Sequence, residues 1–440
     1  MKIMFISLGC DKNLVDTEKM LGILGAKGNT FTDDETEAEV IVINSCCFIN
    51  DAKEESIETI LEMAQYKEDG NLKVLIVAGC LSERYKDEII KEIPEVDAVI
   101  GTASYDKIAE AIEAVLKGQT ALIFEELNRL PKVEANRMVT TGGYYAHLKI
   151  AEGCDKYCTY CIIPKIRGKY RSVPMEELIK EAEYLASIGV KELILVAQET
   201  TIYGLDLYGK KSLHVLLKEL CKIHGIKMIR IMYCYPEEIY DELIETIALE
   251  KKICHYLDMP IQHCSDEVLK RMGRRTTKDE LIAIIQKLRE RIPDIVIRTT
   301  LIAGFPGETE ENHQEMIEFV DEMEFDRLGV FTYSPEENTP AALMENQIPE
   351  EVKCDWRDEI MELQQEIAFD KSEGMIGREL LVMVEGKIAN EPAYVGRTYM
   401  DAPGIDGNIF INTGEEFISG DLVKVKVIGA NEYDLIGEVL

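Results

Sequence analysis

Three cysteines stand close together near the middle of the chain, in the segment GCDKYCTYCIIP at residues 153–164. Cys154, Cys158 and Cys161 follow the spacing CxxxCxxC, so their thiolates can surround one inorganic centre without ligands from elsewhere in the chain. A cube of four irons and four sulfides needs one outer ligand for each iron, and three cysteines leave the fourth iron open. An open coordination position is where a substrate or cofactor can bind. The alternative is a structural zinc site, which needs four ligands, usually as two pairs, and no second pair follows within about twenty residues.

A second set of three cysteines lies in the N-terminal part of the chain, where each follows an apolar, strand-like run. Cys10 follows KIMFISLG, Cys46 follows EVIVINS and Cys80 follows KVLIVAG. The carboxyl ends of parallel strands meet at one edge of a sheet, so we expect these cysteines to converge on a second centre with an open position. The alternative is that they are small buried apolar side chains, a common role of free cysteine, but three at matching places favour ligation. Cys47 is predicted not to be a ligand.

The elements that must position these cysteines alternate between apolar strands and polar helices. This alternation predicts a parallel α/β sheet domain at residues 1–136. Residues 140–374 contain six further β/α steps and predict a partial (β/α)6 barrel, whose active site lies at the carboxyl ends of its strands. Residues 376–440 alternate with frequent glycine and predict a small antiparallel β-barrel. The CxxxCxxC segment follows the first strand of the central region, so it is expected on the active face.

Two polar or glycine-containing segments near those strand ends are candidates for ligand binding. The segment GFPGE at 304–308 contains Gly304 and Gly307, which permit close approach of a ligand to the backbone, although an ordinary strand-to-helix turn has the same composition. The basic run KIRGKYR, which ends at Arg171, can pair with a ligand carboxylate. A solvated run of charge is the alternative interpretation of KIRGKYR.

Composition limits the compartment and the partners. The 440 residues carry a formal charge of −33, and the twelve cysteines occur without a signal peptide or an apolar run long enough to span a membrane. We therefore expect a cytoplasmic protein with reduced, metal-binding thiols. Acidic charge repels nucleic-acid phosphate and favours a basic protein partner, with simple solubility as the alternative. The predicted C-terminal barrel carries five basic and eleven acidic residues, which is unsuited to binding RNA. No coiled coil is apparent, so a monomer is expected.

The segment GCDKYCTYCIIPKIRGKYRS, the strand-end cysteines and a C-terminal barrel of the TRAM type together resemble the radical S-adenosylmethionine (SAM) methylthiotransferases. The resemblance extends over essentially all 440 residues. The segments AQETTIYGLDLYG, YLDMPIQHCSD, RTTLIAGFPGETEE and FDRLGVFTYSPEENTPAA resemble the branch that modifies ribosomal protein uS12, rather than the branch that acts on tRNA. Val173 departs from the pattern, because the family commonly has an arginine at this position, and the contact made by that arginine is in doubt here.

The resemblance implies two 4Fe–4S clusters and SAM as cofactors. Cys154, Cys158 and Cys161 would hold the cluster that binds and cleaves SAM, and Cys10, Cys46 and Cys80 would hold an auxiliary cluster that carries the sulfur. One SAM would methylate that sulfur, and a second would supply the radical that removes hydrogen from the β-carbon of an aspartate in uS12. The implied SAM contacts are Gln198, Gly304, Gly307 and Arg171, with no catalytic side chain beyond the cluster ligands.

The resemblance also implies partners and leaves two alternatives. The substrate would be the basic small-subunit protein uS12, either free or within the ribosome, and the electron donor a low-potential protein such as flavodoxin or ferredoxin. The first alternative is a tRNA adenosine methylthiotransferase, which shares the architecture. The second is a non-enzymatic iron–sulfur electron carrier, but such a protein normally ligates every iron, which two sets of three cysteines do not do.

Overall fold

The computed structural model describes residues 1–440, which form two compact units. The first unit consists of three segments, Met1–Thr140, Ala151–Val173 and Ser334–Ala342. The second unit consists of Thr141–Ile150, Pro174–Tyr333 and Leu343–Leu440. The CxxxCxxC segment therefore belongs to the same unit as the N-terminal residues. No helix is both long enough and apolar enough to cross a membrane.

The chain forms nineteen strands. In order they are β1 (Lys2–Ser7), β2 (Thr30–Phe31), β3 (Val40–Ser45), β4 (Val74–Gly79), β5 (Ala98–Ile100), β6 (Ala121–Ile123), β7 (Tyr145–Lys149), β8 (Ala151–Glu152), β9 (Arg171–Ser172), β10 (Glu192–Val196), β11 (Met228–Ile231), β12 (Ile253–Asp258), β13 (Val296–Ala303), β14 (Arg327–Thr332), β15 (Glu379–Lys387), β16 (Ala393–Arg397), β17 (Ile409–Asn412), β18 (Leu422–Asn431) and β19 (Asp434–Val439).

The chain also forms fifteen α-helices, together with short 3-10 turns at Tyr105–Lys107, Pro236–Glu238 and Ala341–Leu343. In order the α-helices are α1 (Asp11–Ala26), α2 (Asn50–Ala64), α3 (Tyr66–Asp69), α4 (Cys80–Tyr85), α5 (Asp87–Glu92), α6 (Ile108–Leu116), α7 (Ile163–Ile166), α8 (Met175–Ser187), α9 (Leu205–Tyr208), α10 (Leu213–Lys222), α11 (Asp241–Leu249), α12 (Asp266–Met272), α13 (Lys278–Arg291), α14 (Glu310–Met323) and α15 (Glu350–Glu373).

The first unit is built on a six-stranded parallel sheet in the order β2-β1-β3-β4-β5-β6. Strands β3 and β4 are apolar runs that are buried at every residue, as central parallel strands covered on both faces should be. The chain passes from β1 to β2 on one side and then returns to β3 on the other side of β1. Such a reversal of strand order opens a crevice at the carboxyl ends of the strands, where ligands bind in open parallel sheets.

The second unit contains the predicted central sheet, whose six parallel strands run in sequential order from β7 through β10, β11, β12 and β13 to β14. It also contains a closed five-stranded barrel, β15-β16-β17-β19-β18. Most neighbours in the barrel are antiparallel, as predicted, but β17 and β19 pair in parallel. The predicted fold class is confirmed: two parallel α/β sheets and a small C-terminal β-barrel.

The barrel packs against the parallel sheet of its own unit. One apolar cluster joins Ile194, Tyr256 and Val296 of the sheet to Val382 and Val425 of the barrel. Buried charges lie beside this cluster. Glu192 of β10 accepts hydrogen bonds from Arg230 of β11 at 2.9 Å and from Arg397 of β16 at 2.7 Å. Removing apolar area from water and pairing these charges both favour a fixed barrel position within the second unit.

Candidate metal centre

The three N-terminal cysteines stand at the carboxyl ends of three adjacent strands. Cys10 lies between β1 and α1, Cys46 directly follows β3, and Cys80 begins α4 directly after β4. Cys46 and Cys80 are each 6% exposed, whereas Cys10 is exposed. Burial raises the pKa of Cys46 and Cys80, and neighbouring thiols add to this rise: Cys10 acts on Cys46, and Cys47, Cys10 and Cys46 act on Cys80. The fold thus brings together the first predicted ligand set, at the reversal of strand order.

A glycine with positive φ precedes three of the six candidate ligands. Gly9, Gly79 and Gly153 have φ of +85°, +92° and +77°, and they precede Cys10, Cys80 and Cys154. A β-carbon on Gly9 would lie 2.7 Å from the sulfur of Cys46. A β-carbon on Gly153 would lie 2.1 Å from the carbonyl oxygen of Lys169. These glycines allow the backbone to turn sharply just before each cysteine. Any other residue would place a β-carbon against neighbouring atoms there.

Amide side chains fix the ends of the strands that carry the first set. Asn13 Nδ2 donates to the carbonyl oxygens of Leu8 and Ser45, both at 3.0 Å, and so ties the ends of β1 and β3 together. Asn44 Nδ2 donates to the carbonyl oxygen of Asn13 at 2.8 Å. The amide N–H of Cys46 donates to Ser56 Oγ, which donates in turn to the carbonyl oxygen of Cys46. Hydrogen bonds within the protein, most of them buried, therefore hold the crevice.

The second ligand set lies on the loop between β8 and α7. Cys154 and Cys158 are buried and Cys161 is partly exposed. The amide of Cys154 donates to Gly168 O at 3.1 Å, and β8 pairs with β9, so both ends of the loop are held together. Burial raises the pKa of Cys161, and the Cys158 and Cys154 thiols of the same loop add to that rise.

A short segment of the first unit, residues 334–342, is hydrogen-bonded to both cysteine regions. Ala341 N–H donates to the carbonyl oxygen of Thr159, inside the CxxxCxxC loop, at 2.9 Å. Arg84 of α4, four residues after Cys80, donates to Glu336 Oε2 at 2.8 Å and to the carbonyl oxygen of Cys47 at 3.1 Å. Residues 334–342 therefore support both the CxxxCxxC loop and α4, the helix that begins at Cys80.

The basic run after the second set is solvated only in part, because Lys165 and Lys169 are exposed whereas Arg167 is buried. Arg167 is 2% exposed, and its guanidinium donates to Asp16 at 2.9 Å, to both Glu152 oxygens at 3.3 Å, to Asn13 Oδ1 and to the sulfur of Cys80 at 3.5 Å. Arg171 Nη1 donates to the carbonyl oxygen of Arg167 at 3.1 Å. Sequence reasoning missed the connection from Arg167 to Cys80. It also missed the Gly-Cys pairs, although a dipeptide that occurs three times, each at the end of a strand or before the CxxxCxxC loop, could have revealed them.

The residues implied as SAM contacts are divided between the two units. Arg171 belongs to the first unit, whereas Gln198 follows β10, and Gly304 and Gly307 follow β13, in the second. Both glycines have positive φ and a local packing reason for lacking a side chain. A β-carbon on Gly304 would lie 2.2 Å from Lys353 Cγ, and one on Gly307 would lie 2.5 Å from an Arg271 nitrogen. Their role towards SAM stays a prediction.

Each set offers three thiols, and cysteine thiolates are the usual outer ligands of a four-iron cube, so the chemistry of the donor set fits such a cluster. No group of three or more His, Cys, Asp or Glu side chains is arranged to hold a single metal ion. Burial raises the pKa of Cys80 to about 12, against the opposing effect of Arg167, and burial also raises the pKa of Cys46 and Cys161. Such thiols would act as ligands once a bound metal displaced their protons.

Three family models match the chain. An uncharacterized family, UPF0004, matches residues 2–101, the radical SAM superfamily matches residues 148–320, and the TRAM domain matches residues 376–440. Among solved structures, the radical SAM methyltransferase TsrM from Kitasatospora setae has a TM-score of 0.57 at 13% identity and covers 78% of this chain and 74% of that one. The cobalamin-dependent SAM radical enzyme OxsB has a TM-score of 0.51 at 14% identity and covers 82% of this chain and 56% of that one. These likenesses concern the fold, and with the family models they define the class as a radical SAM enzyme.

Sequence relatives give the particular family. A protein of Lachnoclostridium phytofermentans named ribosomal protein uS12 methylthiotransferase RimO is 63% identical over 437 residues, which is 99% of each chain. Proteins of the same name from Clostridium botulinum strain Hall and Acetivibrio thermocellus are 52% and 51% identical, each over 100% of this chain and 98% of theirs. The chain belongs to the family of ribosomal protein uS12 methylthiotransferases.

Proposed function

We propose that this chain inserts a methylthio group at the β-carbon of an aspartate in uS12, and that it uses two 4Fe–4S clusters and SAM. The observation that carries the proposal is the presence of two sets of three cysteines within one compact unit. Three cysteines leave one iron of a four-iron cluster open, and two open irons provide one position for SAM and one for sulfur. The names of the full-length relatives support uS12 as the substrate.

Each residue set has its own task in this proposal. Cys154, Cys158 and Cys161 hold the cluster that binds SAM, and Cys10, Cys46 and Cys80 hold the auxiliary cluster. The bound cofactors supply the radical and the sulfur, while the protein binds, orients and shields the reacting groups. Gln198, Gly304, Gly307 and Arg171 are proposed to contact SAM. No side-chain acid or base is required, because hydrogen leaves an unactivated carbon as an atom.

The negative charge of the chain supports a basic protein as the substrate. The surface of the barrel carries less negative charge than its composition suggests. Of the eleven acidic residues in 376–440, six are exposed, against four of the five basic ones. Asp401 and Asp406 are instead paired with Arg327 and Arg298 of the parallel sheet. The proposal therefore rests on the whole chain, with its charge of −33, as well as on the barrel.

Several broader assignments belong to the same proposal. We propose three domains, at residues 1–136, 140–374 and 376–440, which the positions of the three family models support. We further propose a cytoplasmic monomer that is reduced by a low-potential donor such as flavodoxin or ferredoxin. The substrate is uS12, either free or within the ribosome.

The test uses anaerobically reconstituted protein with methyl-labelled SAM, sulfide and a reductant, and offers uS12 and bulk tRNA in separate reactions. We expect label in uS12 alone, at one aspartate, with the mass of an added methylthio group. Label in tRNA alone would retain the chemistry and overturn the assigned substrate. Labelling of neither, in protein that cleaves SAM, would overturn the proposed transfer.

A further inference from the structure

Arg167, six residues after the last cysteine of the CxxxCxxC segment, is unusual because an arginine side chain is rarely buried completely. Its side chain is fully enclosed in the first unit, and all its described partners lie in that unit. One guanidinium nitrogen, Nη1, donates to Asp16 and Glu152, while Nη2 donates to Asn13 Oδ1 and to Cys80 Sγ at 3.5 Å. The planar fork of arginine suits such a divided set of acceptors, which the single ammonium of lysine would not reproduce.

These partners connect the two cysteine sets. Glu152 directly precedes the CxxxCxxC loop and Arg167 directly follows α7, so the two residues close the base of that loop. Asn13 and Asp16 lie in the first turns of α1, which begins directly after Cys10. Arg167, a buried cation on one flank of the second set, therefore binds Glu152 on the other flank and the sulfur of Cys80 in the first set.

We propose that Arg167 is a positioning residue that donates an N–H···S hydrogen bond to the Cys80 ligand of the auxiliary cluster and raises the reduction potential of that cluster. The inference rests on the proposed function, because it requires a cluster at Cys10, Cys46 and Cys80. Hydrogen bonds to ligand sulfur and nearby net charge are two of the factors that set such potentials. A fixed positive charge beside Cys80 stabilises an electron added to the irons, and Glu152 and Asp16 moderate that effect.

The charge has a use in the proposed transfer. If a carbon radical took sulfur from the cluster, the radical electron and one electron of the broken sulfur–iron bond would form the new carbon–sulfur bond. The other electron of the broken bond would remain with the cluster, which would be reduced by one electron. Arg167 lowers the free energy of that reduced state, and it does so without exchanging a proton, since arginine stays charged in proteins.

The experiment isolates the auxiliary cluster and measures its potential directly. In full-length protein with Cys154, Cys158 and Cys161 all changed to Ala, iron is counted after anaerobic reconstitution, and the cluster is titrated electrochemically with its electron paramagnetic resonance signal as readout. Arg167→Gln, Arg167→Lys and Glu152→Gln are compared in this background. Lys169→Gln is the matched control, because Lys169 is a solvent-exposed cation two residues away.

The expected shifts differ in sign, which a general structural defect would not produce. Arg167→Gln should make the potential more negative, Glu152→Gln should make it less negative, and Arg167→Lys should shift it less than Arg167→Gln. Lys169→Gln should leave it unchanged. If Arg167→Gln binds about four irons and its potential is unshifted, the inference about Arg167 is overturned while the proposed function remains. If Arg167→Gln does not fold, the inference is tested by Glu152→Gln. A potential that is unchanged or more negative in Glu152→Gln overturns the inference.

A different result would count against the proposed function instead. If the background protein with Arg167 intact binds no cluster, the auxiliary site at Cys10, Cys46 and Cys80 is wrong. Iron content in the background therefore tests the site, and the sign of the potential shifts tests Arg167.

Discussion

At the residue scale, the first unit distinguishes two adjacent cysteines that the sequence presents side by side. Cys46 has its sulfur against Gly9, in the crevice with Cys10 and Cys80. Cys47 is fully buried in an apolar cluster, where burial raises the pKa of its thiol to about 11. Cys80 lies in the same apolar cluster as Cys47, so the feature that favours Cys46 as the ligand is its sulfur against Gly9 at the strand end, and the assignment stays a prediction.

The first prediction compares Cys46→Ala with Cys47→Ala. We expect Cys46→Ala to lose about four irons per chain, since two ligands cannot retain the auxiliary cluster. Cys47→Ala should keep the full iron content and lose only about 1 kcal/mol of stability through a small cavity. Iron analysis of reconstituted protein and thermal unfolding measure the two effects. Equal iron loss in both variants would show that the pair had been assigned incorrectly.

The second prediction concerns the glycine before the CxxxCxxC loop. Gly153→Ala puts a β-carbon 2.1 Å from a carbonyl oxygen at φ +77°, so the loop must move, and we expect a loss of about 3 kcal/mol. Gly118→Ala is the matched control in the same unit, because its φ is +79° but nothing lies within 4 Å. It should cost about 1 kcal/mol. Denaturant unfolding measures both, and a similar loss in the two variants would contradict the close approach.

At the element scale, the barrel and the parallel sheet of the second unit are joined by charges as well as apolar contacts. Glu192 is completely buried, and its carboxylate is shared by Arg230 of a neighbouring strand and Arg397 of the barrel. Burial acts to raise the pKa of Glu192, but the two arginines outweigh it, and the pKa lies below its ordinary value. The carboxylate therefore stabilises the fold at neutral pH, and this contribution is lost as the pH falls below the ordinary glutamate range and through the lowered pKa.

The third prediction removes one member of this network. Arg397→Met leaves Glu192 and Glu385 with less compensation inside the unit, and we expect a loss of about 3 kcal/mol or more. Lys424→Met changes an exposed charge of the same barrel and should alter stability by less than about 0.5 kcal/mol. Chemical unfolding at neutral pH gives both values. If Arg397→Met proves as mild as Lys424→Met, the ion pairs contribute little to joining barrel and sheet.

At the scale of the whole molecule, the high negative charge should act on association more than on the fold. Opposite charges accelerate encounter and exclude partners of like charge, and salt screens both effects. A basic ribosomal protein should therefore bind faster at low ionic strength, whereas tRNA should be repelled. The described surface gives the barrel a modest excess of exposed carboxylates, so the barrel is expected to contribute part of this attraction.

The fourth prediction reverses exposed charges on the barrel. Changing Glu379, Glu415 and Glu416 to Lys should weaken uS12 binding by about tenfold at low salt, mainly through the association rate, with a smaller effect at high salt. The control changes three exposed carboxylates of α14, namely Glu310, Glu318 and Glu322, to Lys. Surface plasmon resonance measures both rates. If the α14 variant loses as much affinity, net charge alone is responsible and the barrel is not a preferred docking surface.

The sequence alone was sufficient to predict the elements and where along them the six cysteines lie, because these depend on local patterns, whereas their role as ligands stays a prediction. CxxxCxxC is a local spacing, and buried strands such as VIVINS and VLIVAG are visible as apolar runs. Six β/α steps and a C-terminal alternation of apolar residues predict a parallel sheet and a barrel for the same reason. The strand-end position of Cys10, Cys46 and Cys80 then follows from the common direction of parallel strands.

Only the tertiary structure decided which distant groups meet, because pairing across the fold leaves no local period in the sequence. It placed residues 151–173 in the first unit with the N-terminal sheet, and it buried Arg167 against Asp16 and Cys80 although the run KIRGKYR resembles a solvated stretch. It also withdrew Asp401 and Asp406 of the barrel into ion pairs with sheet arginines. Composition counts charges equally, but burial and pairing determine which of them a partner can meet.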